Sequence, residues 1–430
     1  MLIETTKDAP PGRPSGSRRK RRMMQSLTAV GQDTRAPVPT REIPAPDVPV
    51  HPILSYEAFS RGSTCDVPSV LDAGSATYVT AGRVAIGLAL KLMGVAAGDK
   101  VLIPAYHCAS MVDPLAWVSA TPEFYRIRGD LSVDFDDLER KVNSQTKVVM
   151  ATHYFGFPQK ISRLREFCDA HKLLLLEDCA HSFFGEVSGR PPGSFGDFSI
   201  SSLTKFFPVM EGGCLVSKNP LVAELPLQSQ NLLTNVREAF STIEEAIYHK
   251  RLGAFKPLAH GLDLARALRK MSTSKTPDIS PARIRSGASG HLDARWLDVG
   301  ISYTSLWISQ KVSTDRIVRR RRQIFTRLLE GFSARSGFRP LFGTLPDGVV
   351  PYMFPLWVDN LPSVFAELED RAIPMQRFGQ FLWQGVDEAV CQESNALSQH
   401  LIQLPCHQEL RDNEVDWIVD TVTRVISTRP

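Results

Sequence analysis

Lys205 is the residue of this sequence with the clearest potential for covalent chemistry. It follows a short apolar run and has Phe206 and Phe207 beside it, so the pattern predicts a partly buried amine. Burial lowers the pKa of an amine, which a lysine that forms a Schiff base requires. The hydroxyls of Ser201 and Ser202, just before the lysine, could bind a phosphate. A solvated surface lysine is the alternative reading, and these flanking residues weigh against it.

An acidic pair and a histidine close the run of four leucines at 173–176. Glu177, Asp178 and His181 would then lie at the end of a strand buried on both faces, because the leucine run does not alternate with polar residues. Such a segment suits a metal site or an acid–base site, whereas a capping carboxylate with a packed histidine is the structural alternative. We predict no metal, because the sequence has no C-x-x-C pair and no histidine doublet at metal-ligand spacing.

A third candidate is the start of a helical pattern at Gly82 and Arg83. Free N–H groups at a helix start bind anions, and an arginine beside them adds a fork-like contact. Together with Asp178 and Lys205, this segment supplies an anion cradle, a carboxylate at a strand end and a partly buried lysine. Pyridoxal phosphate needs a phosphate anchor, an acid that faces its pyridinium nitrogen and a lysine. The three segments therefore predict pyridoxal 5'-phosphate as the cofactor.

The elements that would position these residues form a βαβ pattern from residue 80 onward. We predict strands at 100–103, 122–127, 147–153 and 173–177, with helices between them at 83–93, 135–142 and 161–171. Alternation of this kind is typical of a mostly parallel sheet, whose ligands bind outside the carboxyl ends of the strands. Later in the chain we predict a helix at 301–332, a strand at 351–358 and helices at 359–371 and 413–426.

The chain of 430 residues is longer than one hydrophobic core usually holds, so we expect a large and a small domain. Residues 1–50 carry eight of the thirty prolines and a basic run at 18–22, and they predict a disordered tail. We expect a large cofactor-binding domain at 51–300, with a helical insertion and loop at 221–300, and a small C-terminal domain at 301–430. The four arginines at 319–322 span more than one helical turn, and we predict a solvated surface for them.

Charge and cysteine content narrow the possible partners and the compartment. Residues 1–50 hold nine basic and five acidic residues, which leaves 41 of each sign in the rest of the chain. A neutral body argues against binding nucleic acid. No apolar stretch approaches the eighteen or so residues of a membrane span. Seven cysteines without a C-x-x-C pair favour a reduced, cytoplasmic protein.

On these residues the chain resembles the DegT/DnrJ/StrS family of pyridoxal-phosphate-dependent sugar aminotransferases. The resemblance is strong over residues 70–220 and looser over 300–425. It rests on residues 81–85 (AGRVA), 98–106 (GDKVLIPAY), 153–156 (HYFG), 177–181 (EDCAH), 193–198 (GSFGDF), and Lys205 with 211–213 (EGG). It implies the type I aminotransferase fold, with a mostly parallel sheet in the large domain and a smaller C-terminal α/β domain. It also implies a homodimer with sites at the subunit interface.

The resemblance assigns roles to the candidate residues. Lys205 would hold the cofactor as a Schiff base, Asp178 would face the pyridine nitrogen, and His181 would stand near the phenolic oxygen. Gly82 and Arg83 occupy the first phosphate-binding block.

Two positions stay open within the family pattern. The hydroxyl that precedes the lysine falls to Ser201 or Ser202, and one of Tyr106, His107 or Cys108 would cover the ring face. Cys108 stands where the family commonly has an aromatic residue, and Arg83 stands where the family block Ser-Gly-Thr ends in threonine.

The activity implied is an amino transfer in two halves, from an amino acid (glutamate by resemblance) to a keto sugar that is nucleotide-linked, in cell-surface polysaccharide or amino-sugar biosynthesis. Another pyridoxal-phosphate-dependent sugar reaction is the first alternative, although the dehydratases of the family replace the lysine with histidine. The second is a non-catalytic relative that acts as a binding or regulatory module.

Overall fold

The computed structural model describes residues 47–60, 67–253, 294–333 and 336–428. Its larger sheet takes its strands from the first half of the chain. These are β1 (Ser75–Val79), β2 (Lys100–Pro104), β3 (Thr121–Tyr125), β4 (Thr146–Thr152), β5 (Leu174–Asp178), β6 (Phe198–Ser202) and β7 (Gly213–Ser217). The order across the sheet is β1-β7-β6-β5-β4-β2-β3. Each of the four predicted strands is present within two residues of its expected ends.

The predicted mostly parallel sheet is confirmed. Every neighbouring pair from β3 to β6 is parallel, and only the contacts of β7 with β6 and β1 are antiparallel. Both faces of the sheet are buried, because Val101 and Ile103 pack into one apolar cluster while Leu102 between them packs into another. The strands β1 and β7 were not predicted individually, since short strands of mixed composition carry little periodicity.

Helices cover the two faces of this sheet and continue into the second half of the chain. They are α1 (Gly82–Leu92), α2 (Ala109–Val112), α3 (Leu115–Val118), α4 (Phe135–Lys141), α5 (Ile161–His171), α6 (Leu232–Tyr248), α7 (Tyr303–Lys311), α8 (Thr314–Gly331), α9 (Leu361–Asp370), α10 (Gln392–His400) and α11 (Asp412–Ser427). Apolar residues of α1 pack on one face and those of α4 and α5 on the other. The three predicted crossover helices therefore lie where a parallel sheet requires them.

A smaller antiparallel sheet, in the order β10-β9-β8, is built from β8 (Phe338–Pro340), β9 (Met353–Val358) and β10 (Leu401–Pro405). It shares an apolar cluster with α8, α9 and α11. The predicted strand and two helices of the C-terminal half are present, whereas β8, α10 and β10 were missed. The described residues belong to a single unit, 42–430, so the domain boundary at 300 stays a prediction.

The structure describes only parts of the predicted tail at 1–50 and of the predicted insertion at 221–300. Residues 1–46 lie outside the described residues, but residues 47–50 do not behave as a tail. Val48 is buried in the cluster of the small sheet, and the Pro49 carbonyl accepts a hydrogen bond of 2.9 Å from His407 Nε2. In the predicted 221–300 insertion, α6 is present, while residues 254–293 lie outside the described residues.

The predicted single helix at 301–332 is two helices, and its arginines are not all solvated. The helix α7 ends at Lys311, and the hydroxyl of Ser313 accepts a hydrogen bond from Arg316 N to start α8. A capping serine starts a new helix because it satisfies a backbone N–H that has no partner within the helix. The prediction of a solvated surface is wrong for Arg321, which is fully buried on the inward face of α8.

Candidate active site

One cavity of about 490 Å³ opens at the carboxyl ends of the parallel strands. Thr80 follows β1, Cys108 lies four residues beyond β2, and Thr152 and Asp178 end β4 and β5. The antiparallel strand β7 begins at this same edge, so the residues just before it also reach the cavity. The structure therefore brings together the chemistry-bearing residues that the sequence placed at strand ends.

Lys205 lies in a short 3-10 turn, Leu203–Lys205, that follows β6 directly. The turn is held at its start by a hydrogen bond of 3.0 Å from Leu203 N to the Gly212 carbonyl. Burial lowers the pKa of the Lys205 amine, and the neighbouring Asp178 and Cys108 oppose that shift. A lysine in this setting holds a larger neutral fraction than a surface lysine does.

Asp178 is the last residue of β5 and is buried beside the lysine. Its Oδ1 accepts a hydrogen bond of 2.9 Å from Ala180 N. Burial raises the pKa of the Asp178 carboxyl, while the positive charge of Lys205 and the Ala180 N–H oppose the rise. The carboxylate is therefore poised to gain stability from any further positive charge that enters the cavity.

His181 lines the cavity as a neutral ring. Its Nδ1 accepts a hydrogen bond of 3.2 Å from Phe155 N, so the proton of the neutral imidazole lies on Nε2. Burial, together with the charge of Lys205, holds the pKa of His181 well below its usual value. The ring is stacked on Tyr352, with 4.6 Å between the ring centroids. These contacts leave Nε2 available as a hydrogen-bond donor.

Glu177 points to the opposite side of β5 from Asp178, because successive side chains of a strand alternate. Its Oε1 accepts hydrogen bonds from Phe195 N (2.7 Å) and Gly196 N, and its Oε2 accepts one of 2.9 Å from His153. The backbone of the 193–198 segment is therefore held at Phe195 and Gly196 by this carboxylate. Glu177 supports the backbone behind the cavity and does not line it.

His153, Glu177 and Cys179 place one possible ligand atom each within 4.8 Å of the others. The hydrogen bonds of His153 argue against a metal at this cluster. Its Nδ1 accepts the N–H of Gln159 at 3.0 Å, so its Nε2 carries a proton and donates to Glu177. A metal on Nε2 would need that proton to leave while Nδ1 still accepts, which a neutral imidazole cannot satisfy.

The anion-binding end of the cavity is the first turn of α1, where Gly82 and Arg83 both line the wall. Ala81 at the start of the helix has no side-chain oxygen to satisfy the first N–H groups of the turn. The close approach of β7 to this turn requires a glycine, since a Cβ on Gly213 would lie 2.4 Å from the Ala81 carbonyl carbon. That contact explains the second glycine of the 211–213 segment.

Of the two serines left open by the sequence, the structure brings Ser202 to the cavity wall. The hydroxyl of Ser201 is buried and donates a hydrogen bond of 2.9 Å to the Cys179 carbonyl. Its hydroxyl therefore lies behind the cavity wall, whereas Ser202 lies on it. Because successive side chains of a strand point to opposite faces, Ser201 and Ser202 of β6 face different sides of the sheet.

Of the three candidates for the ring face, only Cys108 lines the cavity. Tyr106 is fully buried and donates its hydroxyl to the Phe378 carbonyl at 2.9 Å. His107 is stacked on Phe124 with 4.7 Å between centroids, and burial lowers the pKa of its ring to about 4. The structure therefore places Tyr106 and His107 behind the cavity wall.

Several cavity residues were missed because they come from distant parts of the chain. Tyr352 faces the Lys205 amine, with 5.3 Å from Nζ to the ring centroid. The strand β10 and the segment that follows α9 add further wall residues. These are Gln376, Arg377, Phe378, Gln380 and Gln403, together with His51 from the segment before β1. No local signal in the sequence connects these positions to Lys205.

Residues 67–244 match the DegT/DnrJ/EryC1/StrS aminotransferase family. The matched segment is less than half of the chain, and over this segment the chain is similar to that family. The matched range contains Lys205, Asp178 and His181, together with the helix start at Gly82.

Individual relatives are similar to this chain over different lengths. The chain is 38% identical over 159 residues to a GDP-perosamine synthase of Vibrio cholerae, which covers 36% of this chain and 43% of that relative. It is 22% identical over 366 residues to a dTDP-4-dehydro-2,3,6-trideoxy-D-glucose 4-aminotransferase of Saccharopolyspora spinosa, covering 83% and 86% of the two chains. The match to the first relatives therefore spans less than half of their length.

The fold agrees over a longer part of the chain. The solved structure of the aminotransferase TlmJ from Streptoalloteichus hindustanus superposes with a TM-score of 0.57 at 20% identity, covering 82% of this chain and 86% of the other. The expected aminotransferase fold is confirmed by this similarity. In the part of the chain that the structure describes, no helix combines the length and the apolar character needed to cross a membrane.

Proposed function

We propose that this protein is a pyridoxal-phosphate-dependent aminotransferase that moves an amino group from an amino acid to a keto sugar. The observation that carries the proposal is the meeting of Lys205 and Asp178 in one cavity with the helix start at Gly82 and Arg83. These groups supply the amine, the acid and the anion-binding end that this cofactor requires.

The cavity fits the cofactor by the chemistry of its donor set. Lys205 and Asp178 would hold the ring end, and Arg83, Ser202 and the first N–H groups of α1 would hold the phosphate. When bound, pyridoxal phosphate supplies an electron sink that stabilises negative charge on the substrate carbon. The depressed pKa of Lys205 and the raised pKa of Asp178 both indicate that the cavity gains from a ligand with complementary charge.

The chain's own residues supply the proton chemistry of the proposed reaction. A neutral Lys205 amine would accept the proton from the donor's Cα and donate it to the neighbouring carbon of the bound cofactor. Burial makes the neutral amine accessible near neutral pH. The Asp178 carboxylate would pair with the protonated pyridine nitrogen and so keep the proton there. His181 donates a hydrogen bond from Nε2, because its Nδ1 accepts from Phe155 N.

We extend the acceptor to a nucleotide-linked keto sugar and the donor to glutamate, in amino-sugar or cell-surface polysaccharide biosynthesis. The names of the two relatives above, a GDP-perosamine synthase and an aminotransferase of a dTDP-linked sugar, support this class of acceptor. The amide side chains of Gln376, Gln380 and Gln403 on the cavity wall also support it. Amides both donate and accept hydrogen bonds, as sugar hydroxyls do.

We further propose a homodimer in the cytoplasm. An apolar face formed by α6 and α7 supports the dimer, since Leu232, Tyr303 and Trp307 are exposed there. This face starts beside the cavity, where the cavity residue Glu211 accepts hydrogen bonds from Ser302 N and Gln230. The cysteines at 108, 168, 179, 214, 391 and 406 are free thiols, which supports a reducing compartment.

The test is the absorbance spectrum of the protein with added pyridoxal phosphate, before and after glutamate. We expect a cofactor band in the wild type and in the Lys91→Ala control, whose lysine is exposed at the end of α1, but not the same band in Lys205→Ala. Glutamate should bleach the wild-type band. If the wild type forms no band, the proposed activity is wrong and the protein is instead a non-catalytic binding module. A band that glutamate leaves unchanged would favour a different pyridoxal-phosphate-dependent sugar reaction.

A further inference from the structure

Arg321 is a fully buried cation that contacts the backbone of the active-site lysine. Its Nη2 donates a hydrogen bond of 2.6 Å to the Lys205 carbonyl. Its Nη1 donates at 3.1 Å to the carbonyls of Pro351 and Tyr352, and its Nε donates at 3.1 Å to Oε1 of Gln408. All three nitrogens of the guanidinium are therefore engaged, and each acceptor is a neutral oxygen.

Gln408 extends the same contact to the next residue of the lysine turn. Its Nε2 donates a hydrogen bond of 2.9 Å to the Phe206 carbonyl. The Phe206 ring lies under the guanidinium, with 4.4 Å from Cζ of Arg321 to the ring centroid. Two consecutive carbonyls, those of Lys205 and Phe206, are thus fixed by side chains from α8 and from the loop after β10.

Three other arginines of α8 behave differently. Arg316 pairs with Glu409, Arg320 with Asp412, and Arg327 with Asp416. These are the carboxylate partners expected of arginines that connect two surface elements. Arg321 has no carboxylate among the acceptors named above, although burying its charge costs desolvation free energy. Burial lowers the pKa of Arg321 only to about 10, so the guanidinium stays charged at neutral pH. An apolar side chain would fill the space at a lower cost.

Arg321 fixes backbone atoms of Lys205 itself and of Tyr352, whose ring lies near the Lys205 amine. Its bond to the Tyr352 carbonyl holds the residue whose ring faces Lys205 Nζ at 5.3 Å and stacks on His181. The lysine amine is reached from the backbone through four rotatable bonds. A shift of the Lys205 backbone therefore displaces the starting point of the side chain and, with it, the amine. A misplacement of about 1 Å in a reacting group can cost roughly a hundredfold in rate.

We infer that Arg321, assisted by Gln408, is a positioning residue that fixes the backbone of Lys205 and the ring of Tyr352 so that the lysine amine can transfer protons. This role in proton transfer rests on the proposed aminotransferase function. The physical contact itself does not, and the two parts can be tested separately.

The first test is hydrogen exchange, read residue by residue in the cofactor-free protein. The amides of Phe206 and Phe207 both donate to the Leu203 carbonyl, so they report on the lysine turn. We expect about ten- to a hundredfold faster exchange at these amides in Arg321→Lys, since hydrogen bonds to a charged group are lost. Arg316→Lys is the matched control, because it weakens another α8 contact that does not touch Lys205. Unchanged protection in Arg321→Lys, or equal loss in the control, would overturn the inference.

A second variant keeps the test decisive if Arg321→Lys does not fold. Gln408→Glu retains an acceptor for Arg321 Nε but removes the donor to the Phe206 carbonyl. We expect the exchange of the Phe207 amide to rise severalfold while the protein remains folded. Full protection in a folded Gln408→Glu protein would also overturn the inference.

The kinetic test uses the enzyme with its cofactor and a donor deuterated at Cα. In Arg321→Lys we expect kcat to fall about tenfold or more, with KM within about twofold, and the deuterium isotope effect on kcat to rise. Arg316→Lys should change none of these. An Arg321→Lys enzyme with an unchanged isotope effect would limit Arg321 to a structural role and refute positioning. If the exchange result holds but the wild type shows no amino transfer, the proposed function fails and the backbone contact stands.

Discussion

The adjacent carboxylates Glu177 and Asp178 should respond in opposite ways to removal of their charge. The Glu177→Gln change keeps one oxygen, which can still accept from Phe195 N and Gly196 N. Its amide NH2 must then face the N–H of His153 Nε2, now 2.9 Å from the Glu177 oxygen. His153 cannot adopt the other tautomer without setting a proton on Nδ1 against the N–H of Gln159.

The magnitude follows from these contacts. Two buried donors that face each other leave at least one unsatisfied, which costs about 1–3 kcal/mol. The two remaining bonds lose the carboxylate charge and about half their strength. We therefore expect Glu177→Gln to lower the free energy of unfolding by about 2–4 kcal/mol, while the cofactor band persists because Glu177 does not line the cavity.

Asp178→Asn should show the reverse pattern. Asparagine keeps the oxygen that accepts from Ala180 N, and burial already disfavours the Asp178 charge, so the free energy of unfolding should stay within about 1 kcal/mol of wild type. Amino transfer should fall by about a hundredfold or more.

The assay is urea unfolding of the cofactor-free proteins, followed by tryptophan fluorescence, beside the absorbance spectra with pyridoxal phosphate and glutamate. The argument would be refuted if Glu177→Gln matched the stability of wild type, or if Asp178→Asn kept full transfer activity.

Two further predictions concern backbone strain and the charge of the lysine. Gly156 has φ +98° and a Cβ there would lie 2.5 Å from the Val350 carbonyl oxygen, whereas Gly98 has φ +97° with open space around it. Gly156→Ala should therefore cost clearly more unfolding free energy than the roughly 1 kcal/mol expected of Gly98→Ala, and equal losses in urea unfolding would contradict the contact. Because burial lowers the pKa of Lys205, the native state binds fewer protons than the unfolded chain between that pKa and the unfolded value near about 10.4. Lys205→Met should thus raise the free energy of unfolding of the cofactor-free protein at pH 7, and this increase should shrink as the pH rises toward about 10. An increase that grows with pH would contradict the prediction.

The sequence by itself determined the elements and residues whose signals are local. Alternating helical and β-rich runs predicted the strands and crossover helices of the parallel sheet, and hence the edge at which Asp178 and Lys205 meet. These predictions hold because hydrophobic periodicity within ten or so residues decides which segment forms a strand or a helix.

Only the tertiary structure decided which neighbours of these residues face the cavity. Ser202 and Cys108 line it, while Ser201, Tyr106 and His107 do not, because the direction of a side chain depends on strand pairing and on the partners that pack behind it. Tyr352 and Arg321 reach Lys205 from more than a hundred residues away in the chain, and the arginine run at 319–322 carries no mark of the one member that is buried. Contacts of that separation arise from the packing of the small sheet and α8 against the lysine turn, and no local pattern encodes them.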